Sequence, residues 1–275
     1  MLGANQVKPR PQGAMSLDQP NDFVKHQTPT RDAFLGGRLI VSQPGHGFRA
    51  GLDSVILGAS VSVESKTLLD LGTGSGVAGL VALANIPALS GILVDRDPEA
   101  LALARLNIEE NDIGARATAL ELDVAAKGSV RKAAGLPAEH FTTVIANPPF
   151  FEREAGTLAN HQGRASARHM AWEELDLWVK AAATHATPGG EIIFVHVAQA
   201  LPHLLAAFES RFGALTILPL SPRKGQESTR VLIRGIKGSR APLRLLSARA
   251  LHEDAGRGFS REFEAIFRGT GRLVW

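Results

Sequence analysis

Residues 66–76 read Lys-Thr-Leu-Leu-Asp-Leu-Gly-Thr-Gly-Ser-Gly. Residues 66–70 have the short apolar run of a buried strand, and residues 77–85 have the composition of a helix that Pro87 ends. Between them the chain must bend sharply and leave room for a ligand to approach the backbone, which is why glycines stand at Gly72, Gly74 and Gly76. The spacing Gly74-x-Gly76-x-x-Gly79 also satisfies a dinucleotide fingerprint. Asp70, just ahead of the turn, argues against that reading because its carboxylate would repel a pyrophosphate. The same carboxylate suits the cationic amino group of S-adenosylmethionine, a cofactor without phosphate.

Working outward, the strand-helix alternation continues. Residues 91–95 form a second apolar strand, and Leu101, Ala104, Arg105 and Ile108 recur at helical spacing. Residues 116–123 alternate like a third strand. A polar linker, 125–140, carries another helix and is longer than a minimal domain of this kind needs. Residues 141–146 form a fourth strand. A helix over 171–186 stops at Thr187-Pro188-Gly189-Gly190, and a fifth strand follows at 191–197. A helix over 201–212 and two closing strands, 214–220 and 229–236, complete the series. This order predicts an α/β fold with a doubly wound, mostly parallel seven-stranded sheet of Rossmann-like type. Residues 1–30 are read as a flexible tail, 31–240 as the domain, and 241–275 as a tail packed on it. Asp95 ends the second strand about twenty residues beyond the turn, where a carboxylate accepts from ribose hydroxyls. Asp123 ends the third strand and is placed to accept from an adenine amino group.

The fourth strand runs into Asn147-Pro148-Pro149-Phe150 at the carboxyl edge, where open α/β sheets bind ligands. Two prolines stiffen the turn and remove two backbone donors, so carbonyls face the site. An exocyclic amine conjugated to a base is a poor nucleophile because its lone pair is delocalised. The Asn147 side-chain oxygen and the Pro148 carbonyl can each accept one N–H, freeing that lone pair for attack on a sulfonium methyl. Positioning and hydrogen-bond polarisation carry such a transfer without a strong base. Phe150 offers a face for a flipped base, a stack worth about 1–3 kcal/mol.

Composition narrows the alternatives. The 275 residues include no cysteine, which excludes disulfides and thiol nucleophiles. No histidine spacing matches a metal motif, and no metal is expected. No run approaches the roughly 18–20 apolar residues of a membrane span, and the polar N-terminal stretch lacks a signal-peptide core. The expectation is a cytoplasmic protein with no membrane partner. A net charge of +3 is compatible with an RNA partner.

At these residues the chain resembles the class I methyltransferases that bear a small-methyltransferase domain, and most closely the bacterial tRNA1(Val) adenine-N6 methyltransferase family. Three stretches carry the resemblance: residues 32–38 with 43–57, the turn 70–76, and the Asn147–Phe150 turn. It implies that Phe48, Arg49 and Asp53 lie near the cofactor. It also implies adenosine N6 in tRNA as the methyl acceptor. Phe150 stands where many relatives carry tyrosine.

Basic residues placed near the catalytic turn, including Arg164, Arg168, Arg223 and Lys224, are candidates for phosphate contacts with tRNA. Trp172, Trp178 and Trp275 are read as packing residues. A release-factor glutamine N5-methyltransferase or an rRNA guanine N2-methyltransferase would use the same turn. The first is disfavoured by the short, irregular segment ahead of the glycine turn. A non-catalytic S-adenosylmethionine-binding protein would not need Asn147 and Phe150.

Overall fold

The computed structural model describes residues 29–45, 49–149 and 161–275, without the side chains of 161–171. Five apolar segments form the parallel core: β3 (Thr67–Leu71), β4 (Ser90–Asp95), β5 (Ala117–Glu121), β6 (Phe141–Ala146) and β7 (Ala186–Val197). Leu69 pairs with Ile92 on one side and Val144 on the other, and Ile145 pairs with Ile193. Two further strands, β8 (Phe212–Ser221) and β9 (Arg230–Lys237), close the sheet, with β9 antiparallel to both β7 and β8. The order from one edge is β5-β4-β3-β6-β7-β9-β8. These are the seven strands that the sequence predicts.

Side-chain alternation fills both faces, as a doubly covered sheet requires. Leu68, Leu93, Ile145 and Ile193 pack on one face with α1 (Leu52–Ala59) and α2 (Val77–Asn85). Leu69, Val94, Val144 and Ile192 pack on the other with α5 (His161–His185) and α6 (Leu201–Glu209). Helix α5 starts ten residues ahead of the predicted one. Only Gly163 in that stretch opposes a helix, so residues predicted as a basic loop, including Arg164 and Arg168, are helical.

Three features complete the picture, one of them the helix expected in the 125–140 linker. Residues ahead of the sheet form an antiparallel hairpin of β1 (Thr30–Phe34) and β2 (Leu39–Gln43). It lies against α3 (Pro98–Glu110), and the Asn111 side chain both accepts from and donates to the Ile40 backbone. The 125–140 linker carries α4 (Gly128–Ala133), which buried Arg131 anchors by donating to the Val124 and Ala126 carbonyls and to His185 Nε2. The C-terminal residues add two-residue strands β10 (Arg244–Leu245) and β11 (Arg249–Ala250), both parallel to β8, and then α7 (Arg261–Phe267). Beyond α7, Leu273 N–H donates to Ala59 O and the Trp275 indole N–H donates to Ser60 O. Among the described residues no helix is long and apolar enough to cross a membrane.

Candidate active site

The parallel strands all end at one edge, so their loops converge there. In sheet order β6-β3-β4-β5, that edge presents Asn147, the glycine turn, Asp95 and Asp123 in a row. The turn is conformationally demanding: Gly72, Gly74 and Gly76 have φ of 66°, 57° and 94°. Such angles strongly favour glycine. A Cβ on Gly74 would meet nothing within 4 Å, so its backbone borders open space that a ligand can approach. A Cβ on Gly72 would lie 2.3 Å from Cη2 of buried Trp178, whose indole backs the turn from α5.

Asp70 is 2% exposed and holds the turn from within. Its Oδ2 accepts the Thr73 hydroxyl at 2.6 Å and the Gly79 amide at 2.9 Å, tying the strand to α2. Burial pushes its pKa up to about 7 against these two hydrogen bonds, which pull the other way. The sequence expectation for Asp70 is a cofactor ammonium, whereas these contacts belong to the loop itself. Asp95 is better placed for a ligand. Its Oδ2 accepts the Gly74 amide at 2.7 Å and Oδ1 the Asp97 amide at 3.0 Å. The half-buried carboxylate keeps a further lone pair on each oxygen for ribose hydroxyls. Asp123 lies two residues past β5, exposed, with Oδ1 accepting the Ala125 amide at 2.9 Å.

On the other side of the turn, Asn147 follows β6. Its Oδ1 is buried with no hydrogen-bond partner among the described residues. A buried carbonyl left unpaired costs about 1–3 kcal/mol, so this oxygen is open to a hydrogen donor from water or a ligand. Pro148 is buried beside it and Pro149 is exposed. Phe150 and Phe48 lie outside the described residues.

Asp53 and Arg49 are each held in an ion pair. Asp53 Oδ2 accepts Arg230 Nε at 2.8 Å, at the start of β9 and three strands from β3. The pair therefore stands on the Asn147 side of the site. Arg49 Nη2 reaches Asp32 Oδ2 at 2.5 Å, and Asp32 also accepts from Gln43 Nε2 at 2.7 Å. Close to Arg230, His196 at the end of β7 accepts the Val197 amide on Nδ1. Burial first, and then Arg230, push its pKa down to about 4, so its ring is neutral at physiological pH.

Asn107 is a contributor that the sequence reading passed over. Fully buried, it accepts Ser42 N–H at 2.7 Å and donates to Ser42 O at 2.9 Å and Ser75 O at 2.8 Å. It thereby ties the β1–β2 hairpin to the glycine turn. The available signal was an asparagine three residues after Ala104, on the apolar side of α3.

Of the proposed RNA contacts, the side chains of Arg164 and Arg168 lie outside the described residues. Lys224 is exposed. Arg223 donates to the Glu253 carbonyl at 2.6 Å and the Gly256 carbonyl at 2.7 Å, so it holds the C-terminal segment. No sequence pattern marks residues 30 and 33 places on as its acceptors.

Known proteins bear on this site. Residues 49–219 match the family described as Methyltransferase small domain. The chain is 31% identical over 188 residues to a tRNA1(Val) (adenine(37)-N6)-methyltransferase of Shewanella amazonensis, covering 66% of this chain and 77% of that one. A protein of the same name from a Flavobacteriaceae bacterium is 34% identical over 116 residues, 42% of this chain and 47% of that relative. This second match thus spans about half of the relative's length. The crystal structure of a predicted O-methyltransferase, protein Atu636 from Agrobacterium tumefaciens, superposes with a TM-score of 0.68 at 30% identity. That superposition covers 80% of this chain and 98% of the other. The glycine turn with open space at Gly74, and the ribose-competent Asp95 beside it, fit S-adenosylmethionine, whose bound form supplies the activated methyl. With a family match over more than half of its length, the chain belongs to the methyltransferase small domain family and is an S-adenosylmethionine-dependent methyltransferase.

Proposed function

We propose that the chain methylates an exocyclic amino group in RNA, with adenosine N6 in tRNA as the acceptor. The observation that carries this reading is the buried, unpaired Oδ1 of Asn147 at the carboxyl end of β6. A carbonyl oxygen in that state can accept one hydrogen, and a base amino group has two to give. One hydrogen goes to Asn147 Oδ1 and the other to the Pro148 carbonyl, which tilts the nitrogen out of conjugation and aims its lone pair. Hydroxyl acceptors would leave one of these two oxygens unpaired, which disfavours O-methylation. Phe150 stacks the extruded base, and Asp95 with the glycine turn fixes the cofactor on the opposite side of the attack line. Two of the relatives named above carry the name tRNA1(Val) (adenine(37)-N6)-methyltransferase, and the net charge of +3 suits a polyanion.

The test is transfer of a labelled methyl group from S-adenosylmethionine into bulk tRNA from a strain lacking this protein, followed by nucleoside analysis. Label in N6-methyladenosine is the expected result. Label only in ribosomal RNA guanine, or only in release-factor glutamine, would overturn the substrate while keeping the turn chemistry.

A further inference from the structure

Beyond the catalytic turn, the same sheet edge carries a concavity. Strand β8 runs in the direction of β7, so its end at Ser221 lies at the edge that holds Asn147. Strand β11 pairs there with Leu220 and Ser221. The segment after it folds back as a small hairpin in which His252 bridges Phe259. Arg223 grips two carbonyls of this hairpin, at Glu253 and Gly256, and so fixes it against the β8–β9 loop. Between the loop and the hairpin lies an open groove of about 730 Å³. It is three strand spacings from the catalytic turn, roughly 15 Å.

The chemistry of the lining is specific. Lys224 and Arg261 bring two cations to the groove, and neither forms an ion pair among the described residues. His252 presents a flat ring, held by stacking on Phe259 at 4.9 Å and 20°. Phe259 is braced in turn by Phe267, edge to face at 4.6 Å. Glu253 and Asp254 add acceptors for hydroxyl or amino hydrogens. Cations alone would suit any anion. Cations combined with an aromatic face and carboxylate acceptors match a nucleotide with a free 2′-hydroxyl.

We propose that this groove binds a second stretch of the RNA substrate outside the methylated nucleotide. Lys224 and Arg261 hold phosphate, His252 stacks a base, and the two carboxylates accept from ribose. The inference rests on the RNA reading above and assigns the C-terminal segment a binding role. The groove contributes affinity and register, and Asn147 contributes the chemistry.

The experiment uses the full chain and bulk unmodified tRNA. The double variant Lys224→Glu with Arg261→Glu, and separately His252→Ala, are compared with wild type for tRNA KM, its salt dependence, S-adenosylmethionine affinity and melting temperature. The charge-reversed variant should raise tRNA KM at least ten-fold and reduce the salt slope by about two. Its cofactor affinity should stay within two-fold and its melting temperature should be unchanged. Photocrosslinking of wild type to iodouridine-bearing tRNA should label peptides spanning 224–226 or 252–261, a readout independent of how the variants fold. If wild type methylates tRNA but KM, slope and crosslinks show no involvement of the groove, the inference is overturned and the RNA reading stands. If wild type methylates only a protein, both fall together.

Discussion

The Trp178 indole occupies the space that a side chain on Gly72 would need, with only 2.3 Å between Cη2 and a Cβ built there. The cofactor turn is thus shaped from behind by an aromatic ring on α5, and residue 72 answers to two demands at once. Positive φ costs about 1–2 kcal/mol for a residue with a Cβ, and overpacking about 1–3 more. Gly72→Ala should therefore lose about 2–5 kcal/mol of stability in urea denaturation and bind S-adenosylmethionine at least ten-fold more weakly. Adding Trp178→Phe should recover part of the cofactor affinity by opening space. No recovery would mean that backbone strain alone sets the effect.

Asn147→Ala removes the proposed acceptor while leaving the glycine turn and Asp95 intact. Methyl transfer should fall by about 10²–10³-fold, the scale seen when one polarising group is lost. Cofactor affinity, read by equilibrium titration, should stay within a few-fold. An active Asn147→Ala enzyme would sink the mechanism.

Asn107→Leu keeps volume but strands Ser42 N–H, Ser42 O and Ser75 O in a buried place, at about 1–3 kcal/mol for each unpaired group. Because Ser75 belongs to the turn, KM for S-adenosylmethionine should rise more than kcat falls. Equal loss in both parameters would assign Asn107 to general stability only.

Two buried groups at the functional edge give stability opposite responses to pH. Asp70 has a folded pKa of about 7 against an ordinary 3.8, so its contribution is full below the ordinary value and is lost as pH rises through 7. His196 has a folded pKa of about 4 against 6.5, so its contribution is full above 6.5 and is lost as pH falls through 4. Relative to wild type, Asp70→Asn should gain stability from about pH 5 to 8, and His196→Gln from about pH 7 to 4.5. Denaturation midpoints across that range check both signs. A pH-independent difference for either variant would show that the group's titration does not differ between folded and unfolded chains.

The parts of this molecule that were legible in sequence are those whose cause is local. The glycine turn announces itself because strand, bend and helix are consecutive, and the Asn-Pro-Pro turn because two prolines fix it in place. Most of the seven strands could be placed because their buried runs are continuous, and β5 because its residues alternate. What escaped depends on partners far along the chain. Asn107 finds Ser42 across 65 residues, and Asp53 finds Arg230 across 177. Arg223 looked like a free cation because its acceptors are backbone carbonyls, which carry no sequence signature. The helical start of α5 was missed because a run of polar residues without apolar spacing reads as a loop.

The bond from Trp275 to Ser60 closes a span of 215 residues. Contacts of that separation demand the largest loop-closure entropy and are repaid last during folding. The tail should dock onto a sheet that is already built and be the first part to open again. Native-state hydrogen exchange would then show amides of β10 and β11 exchanging well before those of β3 and β6. Two regions of unequal lifetime follow: a durable sheet that carries the proposed cofactor site and a fleeting C-terminal segment that completes the proposed RNA groove. Mild heating or denaturant should erode discrimination among substrates before it erodes the chemical step.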